Sequence, residues 1–174
     1  MKILKALFGN DPDPRERFVP LYSSIVAEAR QPLWYAEMGV PDTLDGRFDM
    51  VAAILALVLM RTEEEGEGGR QPGVLLTEIF IEDMDGQLRE IGVGDVVVGK
   101  HVGNMMAAMG GRLQAYRDAI DDEGALAEAL QRNLWRGKAT PDARPSMVAA
   151  RLRSIAAALR GMTLDSLIAQ GIPG

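Results

Sequence analysis

The run Met50-Val51-Ala52-Ala53-Ile54-Leu55-Ala56-Leu57-Val58-Leu59-Met60 is eleven apolar residues in succession, closed by Asp49 before it and Arg61 after it. No polar residue interrupts it, so a helix built from it has no side suited to water. Eleven residues of α-helix rise about 16 Å, roughly half the hydrocarbon thickness of a bilayer. The segment is therefore expected to be a central helix buried on all sides, not a membrane span.

Periodicity places further helices on both sides of this run. Upstream, Leu21, Ile25, Val26 and Ala29 form one stripe of a helix over residues 18–30. Gln31-Pro32 begins a short second helix carrying Leu33, Trp34, Tyr35 and Met38, which Gly39 and Pro41 close. Thr43 or Asp45 is the expected cap of the central helix. Downstream, residues 63–69 (EEEGEGG) read as a flexible acidic loop. From Val74, the residues Leu76, Phe80, Met84, Leu88 and Ile91 recur at helical spacing. Gly92-Val93-Gly94-Asp95 ends that helix, and Asp95 is placed to cap the next. A long stripe follows in Val98, Val102, Met105, Met106, Met109, Leu113 and Tyr116. Gly99, Gly103, Gly110 and Gly111 share that segment; each costs about 1 kcal/mol against alanine in a helix. A close neighbouring helix or a bend would account for them. Residues 121–136 and 146–160 read as two more amphipathic helices, and Thr163 caps a last one closed by Gly171. No segment alternates with a period of two. The class is all-α, a single compact domain of seven or eight helices. Its expected parts are an N-terminal short helix and linker (1–17), a helical core (18–137) and C-terminal helices packed on that core (138–174).

Composition narrows the chemistry. The 174 residues are 47% hydrophobic and 25% charged, enough apolar material for a core. There is no cysteine and one histidine, His101. Disulfide scaffolds, thiolate metal sites, cysteine nucleophiles and histidine clusters are excluded. The net charge of −6 argues against a protein that coats DNA or other nucleic acid. That charge is uneven: residues 132–160 carry +6 through Arg132, Arg136, Lys138, Arg144, Arg151, Arg153 and Arg160 against Asp142, and the remainder carries −12. Such an arm either orients the protein on an anionic partner or is a solvated face. Met1 to Phe8, with Lys2 and Lys5 among apolar residues, is too short for a secretory signal. It reads as a short amphipathic helix that docks on the body or touches a membrane surface. The expected location is cytoplasmic, with a peripheral position at the inner face of the cytoplasmic membrane as its membrane-facing variant.

The densest charged constellation is Glu78, Glu82, Asp83, Asp85, Arg89, Glu90 and Asp95, followed by Lys100 and Arg112. On a helix Glu78 and Glu82 are neighbours, and Asp85 meets Arg89 four residues on. Asp83 falls beside the apolar stripe, where a carboxylate must pair, with Arg89, Lys100 or Arg112, or else line a cleft. Glu82, Asp83 and Asp85 could serve a small acid/base enzyme, but no nucleophile, nucleotide or metal motif accompanies them. Asp83-Met84-Asp85-Gly86 is like the start of a calcium loop, but further oxygen ligands at loop spacing are missing. No catalytic, cofactor or metal site is assigned. A recognition surface is the third reading, with Met105 and Met109 as adaptable contacts or gap-filling core. Trp34, Tyr35 and Tyr116 are core or interface anchors. His101, next to Lys100, reads as a surface or packing residue.

At the segment Leu76-Thr77-Glu78-Ile79-Phe80-Ile81-Glu82-Asp83-Met84-Asp85-Gly86-Gln87-Leu88-Arg89-Glu90, followed by Gly92-Val93-Gly94-Asp95 and Val98-Gly99-Lys100, the chain resembles the ubiquinol–cytochrome c chaperone family. Pro20-Leu21-Tyr22, Pro32-Leu33-Trp34-Tyr35, Asp45-Gly46-Arg47-Phe48-Asp49, Gly111-Arg112 and Tyr116 agree with it, so that the likeness spans about residues 18–137. The resemblance implies an all-helical, non-enzymatic assembly factor for respiratory complex III that holds newly made cytochrome b. It further implies a small partner protein and contact with the ribosome. A compact bacterial form is indicated by 15 Arg against 4 Lys and by the lack of a mitochondrial presequence. On this reading the helix from Val74 and its successor form an apolar groove for a client helix. Glu78, Glu82, Asp83, Asp85, Arg89, Asp95, Lys100, Arg112, Tyr116, Met105, Met109, Trp34 and Tyr35 would serve partner binding. The 132–160 arm would face anionic headgroups or ribosomal RNA. A soluble regulatory scaffold is the alternative without a membrane-protein client.

Overall fold

A computed structural model of the chain describes residues 13–92, 94–138 and 140–173, apart from the side chains of Asp95 and Val96. The N-terminal helix expected at Met1 to Phe8 lies outside these residues, as does Val93. Among the described residues there are eight α-helices and no strand. They are α1 (Val19–Ala29), α2 (Pro32–Ala36), α3 (Leu44–Glu63), α4 (Glu67–Glu90), α5 (Asp95–Ala119), α6 (Glu123–Leu134), α7 (Pro145–Arg160) and α8 (Leu164–Gln170). A single 3-10 turn, Glu16–Phe18, precedes α1.

The apolar run dictates the arrangement. It forms the body of α3, and every residue from Met50 to Leu59 is buried. Five helices, α1, α4, α5, α6 and α7, pack around α3, while α6 lies along α7 and α8 along α1. Thr43 is the cap of α3: its Oγ1 accepts from the Gly46 amide at 3.0 Å. Asp122 caps α6 by accepting from the Ala125 amide at 2.8 Å. Thr163 caps α8, as its position before the last apolar run requires, accepting from the Ser166 amide at 3.2 Å. Beyond α8, Ser24 Oγ accepts from the Ile172 amide at 3.0 Å and pins the C-terminal segment to α1.

Two local expectations fail. The acidic stretch is not a loop: only Glu64, Glu65 and Gly66 form the turn, and α4 begins at Glu67, seven residues before Val74. A Cβ on Gly69 would lie 1.6 Å from the Thr62 carbonyl oxygen, so glycine lets the end of α3 and the start of α4 touch as a tight helical hairpin. Packing thus overrides the poor helix propensity of Gly68, Gly69 and Pro72. The second failure concerns α5. Gly99, Gly103, Gly110 and Gly111 are exposed, and a Cβ at any of them would meet nothing within 4 Å. No neighbouring described helix approaches there, and α5 runs unbroken past all four. Its cap is Gly94, with Asp95 as the first helical residue rather than the cap.

No helix among the described residues is long and apolar enough to cross a membrane.

Candidate functional site

The expected carboxylates lie along α4, but Glu82, Asp83 and Asp85 are each engaged separately. Glu82 pairs with Arg15 at 2.7 Å, and Arg15 also holds Asp13, fastening the segment before α1 to α4. Asp85 and Arg89 form the expected pair one turn apart, at 2.6 Å. Asp83 does not pair with Arg89, Lys100 or Arg112. Its Oδ2 accepts from the Tyr22 hydroxyl at 2.7 Å and its Oδ1 from the Gln87 amide at 2.8 Å. Burial, together with the Asp83 carboxylate, pushes the Tyr22 hydroxyl far above its ordinary pKa, so it stays a donor. None of Glu82, Asp83 and Asp85 lines either groove described below. The helix register explains this: Asp83 and Glu82 face α1 and the chain before it, not α5.

The groove lies instead between α3, the end of α4 and α5, with a volume of about 410 Å³. Asp45, Phe48, Asp49 and Ala52 recur at spacings of three and four and so share one face of α3. His101, Asn104, Met105, Ala108 and Arg112 do the same on α5. Phe48, Ala52, Phe80, Leu88 and Met105 line the groove with apolar surface. Leu44 (41% exposed) and Ile91 (56% exposed) stand at its lips. Ile91 belongs to the expected stripe of α4, but it lies just past the helix end and projects into solvent.

Its polar wall holds four charges. Arg112 Nη2 is 2.6 Å from Asp49 Oδ1, and both side chains are largely enclosed, at 16% and 7% exposure. Arg136 reaches from the end of α6 to Asp45 Oδ2 at 2.9 Å and stands 3.8 Å from Asp49 Oδ2. Burial raises the Asp49 pKa above the usual carboxylate range, and the Arg112 guanidinium opposes that shift. Asp49 Oδ2 is buried without a hydrogen-bond partner among the described residues. Behind this wall, burial likewise raises the Tyr116 hydroxyl, which also lacks a partner among the described residues.

A second groove, about 740 Å³, opens where α3 turns into α4, with Leu59, Val74 and Leu113 as its apolar surface. Glu63, Glu67, Arg70 and Glu78 border it. Glu63 is held by Arg117 at 2.7 Å and Glu67 by Arg70 at 3.3 Å, which leaves Glu78 as the rim carboxylate with no ion pair among the described residues.

The remaining candidates divide by burial. Trp34 is fully enclosed, its Nε1 donating to the Glu28 carbonyl at 2.8 Å. Tyr116 and Met109 are buried as well. These three are core residues and have no surface to offer a partner; Met109 and Tyr116 belong to α5, which packs on α3. Tyr35 is half-buried, its hydroxyl tied to the Ala29 carbonyl at 2.7 Å. Met105 is half-buried in the groove, and Lys100 and His101 are exposed. The Asp95 side chain lies outside the described residues. Sequence reading missed Asp45, Phe48 and Asp49 as site residues. Their three-and-four spacing at the start of the apolar run was the available signal.

The basic arm mostly ties helices together. Arg151 pairs with the buried Glu28 at 2.9 Å and lies over the Trp34 ring. Arg153 donates to the Ile120 carbonyl at 3.0 Å, and Arg160 pairs with Glu64 at 3.1 Å. Arg144 donates to the Pro141 carbonyl at 2.8 Å. Arg132 and Lys138 carry the exposed side chains of the arm that have neither an ion pair nor a side-chain hydrogen bond among the described residues. The +6 stretch is thus neither a free cationic face nor simply solvated.

The groove thus combines an apolar floor with a wall of paired charges on an all-α body. The chain belongs to the ubiquinol–cytochrome c chaperone family, whose sequence profile matches residues 36–172. A crystal structure of the Cbp3 homolog from Brucella abortus is similar throughout: TM-score 0.80 at 30% identity, over 99% of this chain and 97% of that chain. Comparison with curated proteins finds no match. The profile takes in α7 and α8, which the motifs of residues 18–137 did not reach.

Proposed function

We propose that this chain is a non-enzymatic assembly chaperone of respiratory complex III that holds newly made cytochrome b until it is built in. The observation that supports the reading most is the α3–α5 groove on a chain of this family. Its apolar surface suits the side chains of a membrane-protein helix that has not yet found its neighbours. A client side chain such as leucine contributes roughly 2 kcal/mol when buried. Two or three of them give a hold that the client's own packing can later displace. Met105 adapts to differing side chains, while the Asp45–Arg136 and Asp49–Arg112 pairs fix the spacing of α3, α5 and α6. Arg132 and Lys138 would face an anionic membrane surface, each contributing about 1 kcal/mol there. The ribosome and a small partner protein are the further contacts proposed for a member of this family.

The test is co-purification from native membranes. Tagged protein should enrich cytochrome b, and the Met105→Asp/Ala108→Arg variant, which fills and charges the groove, should lose that enrichment while keeping its helical circular dichroism. Equal recovery with both proteins, or none with either, refutes the reading.

A further inference from the structure

We infer that residues 1–8 of this chain dock in the second groove, between the end of α3, the start of α4 and α5, with their lysines against its acidic rim. The α3–α5 groove stays open to a client, so the two readings stand or fall separately. On a helix Ile3, Leu4, Leu7 and Phe8 share one face. Lys2 and Lys5 lie off that face, and residues 1–8 contain no acid. The second groove offers the matching surface. Its apolar part is Leu59, Val74 and Leu113, and Val74 is 52% exposed, which a docked apolar face would relieve. Its border sets Glu63, Glu67 and Glu78 against Arg70. Glu78 is exposed and has no ion pair among the described residues. The four-carbon stems of lysine let an ammonium group bend down to such a rim while the helix lies lower.

Reach and size agree with this placement. Arg15 pairs with Glu82 at 2.7 Å and with Asp13 at 2.6 Å, so the chain is fastened to α4 at the point where the segment leaves it. Glu78 stands one turn from Glu82 on the same side of α4. Residues 9–12 span up to about 13 Å when extended, enough to cross one side of a helix about 10–12 Å in diameter. Eight residues of helix are about 12 Å long, and α4 runs about 16 Å from Glu67 to Glu78. The cleft beneath Pro14 and Phe18 is nearer, but at about 200 Å³ it is too small for a helix face. Charge separates the remaining hollows. The α3–α5 groove sets Asp45 and Asp49 against Arg112 and Arg136, a neutral wall, and the hollow beside Tyr35 presents Arg30 and Arg47 against Asp42. The rim of the second groove alone among these three has an excess of carboxylates. Weak contacts suffice there, because a tethered segment meets its site at an effective concentration of about a millimolar.

The experiment places a photoreactive apolar residue at Leu4 of the full chain and maps its crosslinks by mass spectrometry, with and without phosphatidylglycerol vesicles. Crosslinks should concentrate within residues 66–78 and at Leu113, inside one chain. The Lys2→Glu/Lys5→Glu variant should lower that yield about threefold, the scale of two exposed ion pairs. Adding Glu78→Lys to it should restore part of the loss, and Val74→Asp in the parent should lower the yield again. These are exposed positions, and circular dichroism should be unchanged in every variant. Crosslinks scattered over the surface, centred on the α3–α5 groove, joining two chains, or made to the vesicle lipid instead of the groove each overturn the inference. So does a groove yield indifferent to reversal of the lysines.

Discussion

Replacing Arg112 with alanine strips a buried carboxylate of its closest partner. The Asp49–Arg112 contact is 2.6 Å long, between side chains that keep 7% and 16% of their surface. Removing one member of a buried pair costs about 3–5 kcal/mol, because the other charge stays behind uncompensated. Arg136, at 3.8 Å from Asp49 Oδ2, offsets part of this. The expected loss at pH 7 is therefore near the lower end, about 3 kcal/mol. The double variant Asp49→Asn/Arg112→Ala removes charge and partner together and should recover half or more of it. A pH dependence follows. Burial already raises the Asp49 pKa in the folded protein, and Arg112 opposes that shift. Without Arg112 the folded state takes up the Asp49 proton still more readily than the unfolded chain does. The variant therefore gains stability, relative to the parent, as the pH falls through the folded-state pKa. Urea unfolding at pH 7 and pH 4.5 reads both effects, and the deficit should shrink at the lower pH. A loss under about 1 kcal/mol at pH 7, or a deficit equal at both pH values, would refute the claim that Asp49 is a buried, paired charge.

Gly69→Ala should destabilise by about 3 kcal/mol in the same assay, since its Cβ would stand 1.6 Å from the Thr62 carbonyl oxygen. Gly103→Ala, on the open face of α5, should instead stabilise by about 1 kcal/mol; the two signs together test the packing of the α3–α4 hairpin against that of α5. Tyr22→Phe removes the hydroxyl that donates to Asp83 at 2.7 Å and should cost about 1–2 kcal/mol by thermal or urea unfolding. Arg151→Ala leaves the 7%-exposed Glu28 side chain without its guanidinium, and should cost more at pH 7 than Arg132→Ala, whose exposed side chain has no ion pair among the described residues.

Where local pattern and tertiary packing agree, the fold is legible from residues alone. The Met50–Met60 run has no polar position, so burial on every side is its only comfortable state. Thr163 stands where a short apolar run begins, and its hydroxyl caps α8 as that position implies. The first two turns of α4 were not legible, because Gly68, Gly69 and Pro72 argue for a loop until α3 is laid beside them. The α5 glycines suggest contacts that the described helices do not make. Charge was the least readable property. Asp49 and Arg112 are 63 positions apart, and nothing local to either says that they meet. The arginines of residues 132–160 look unpaired in sequence, since Glu28, Glu64 and Glu123, their partners, lie on other helices. The Asp45-Gly46-Arg47-Phe48-Asp49 motif lies along the wall of the α3–α5 groove, but nothing in it says that Asp49 meets Arg112.

The claim that the α3–α5 groove holds the client is tested most directly by site-specific photo-crosslinking in native membranes. A photoreactive residue at Ala108, in the groove, should capture newly made cytochrome b, while the same residue at exposed Ala158 on α7 should not. Capture from Ala158 but not from Ala108, or from neither, would contradict the account.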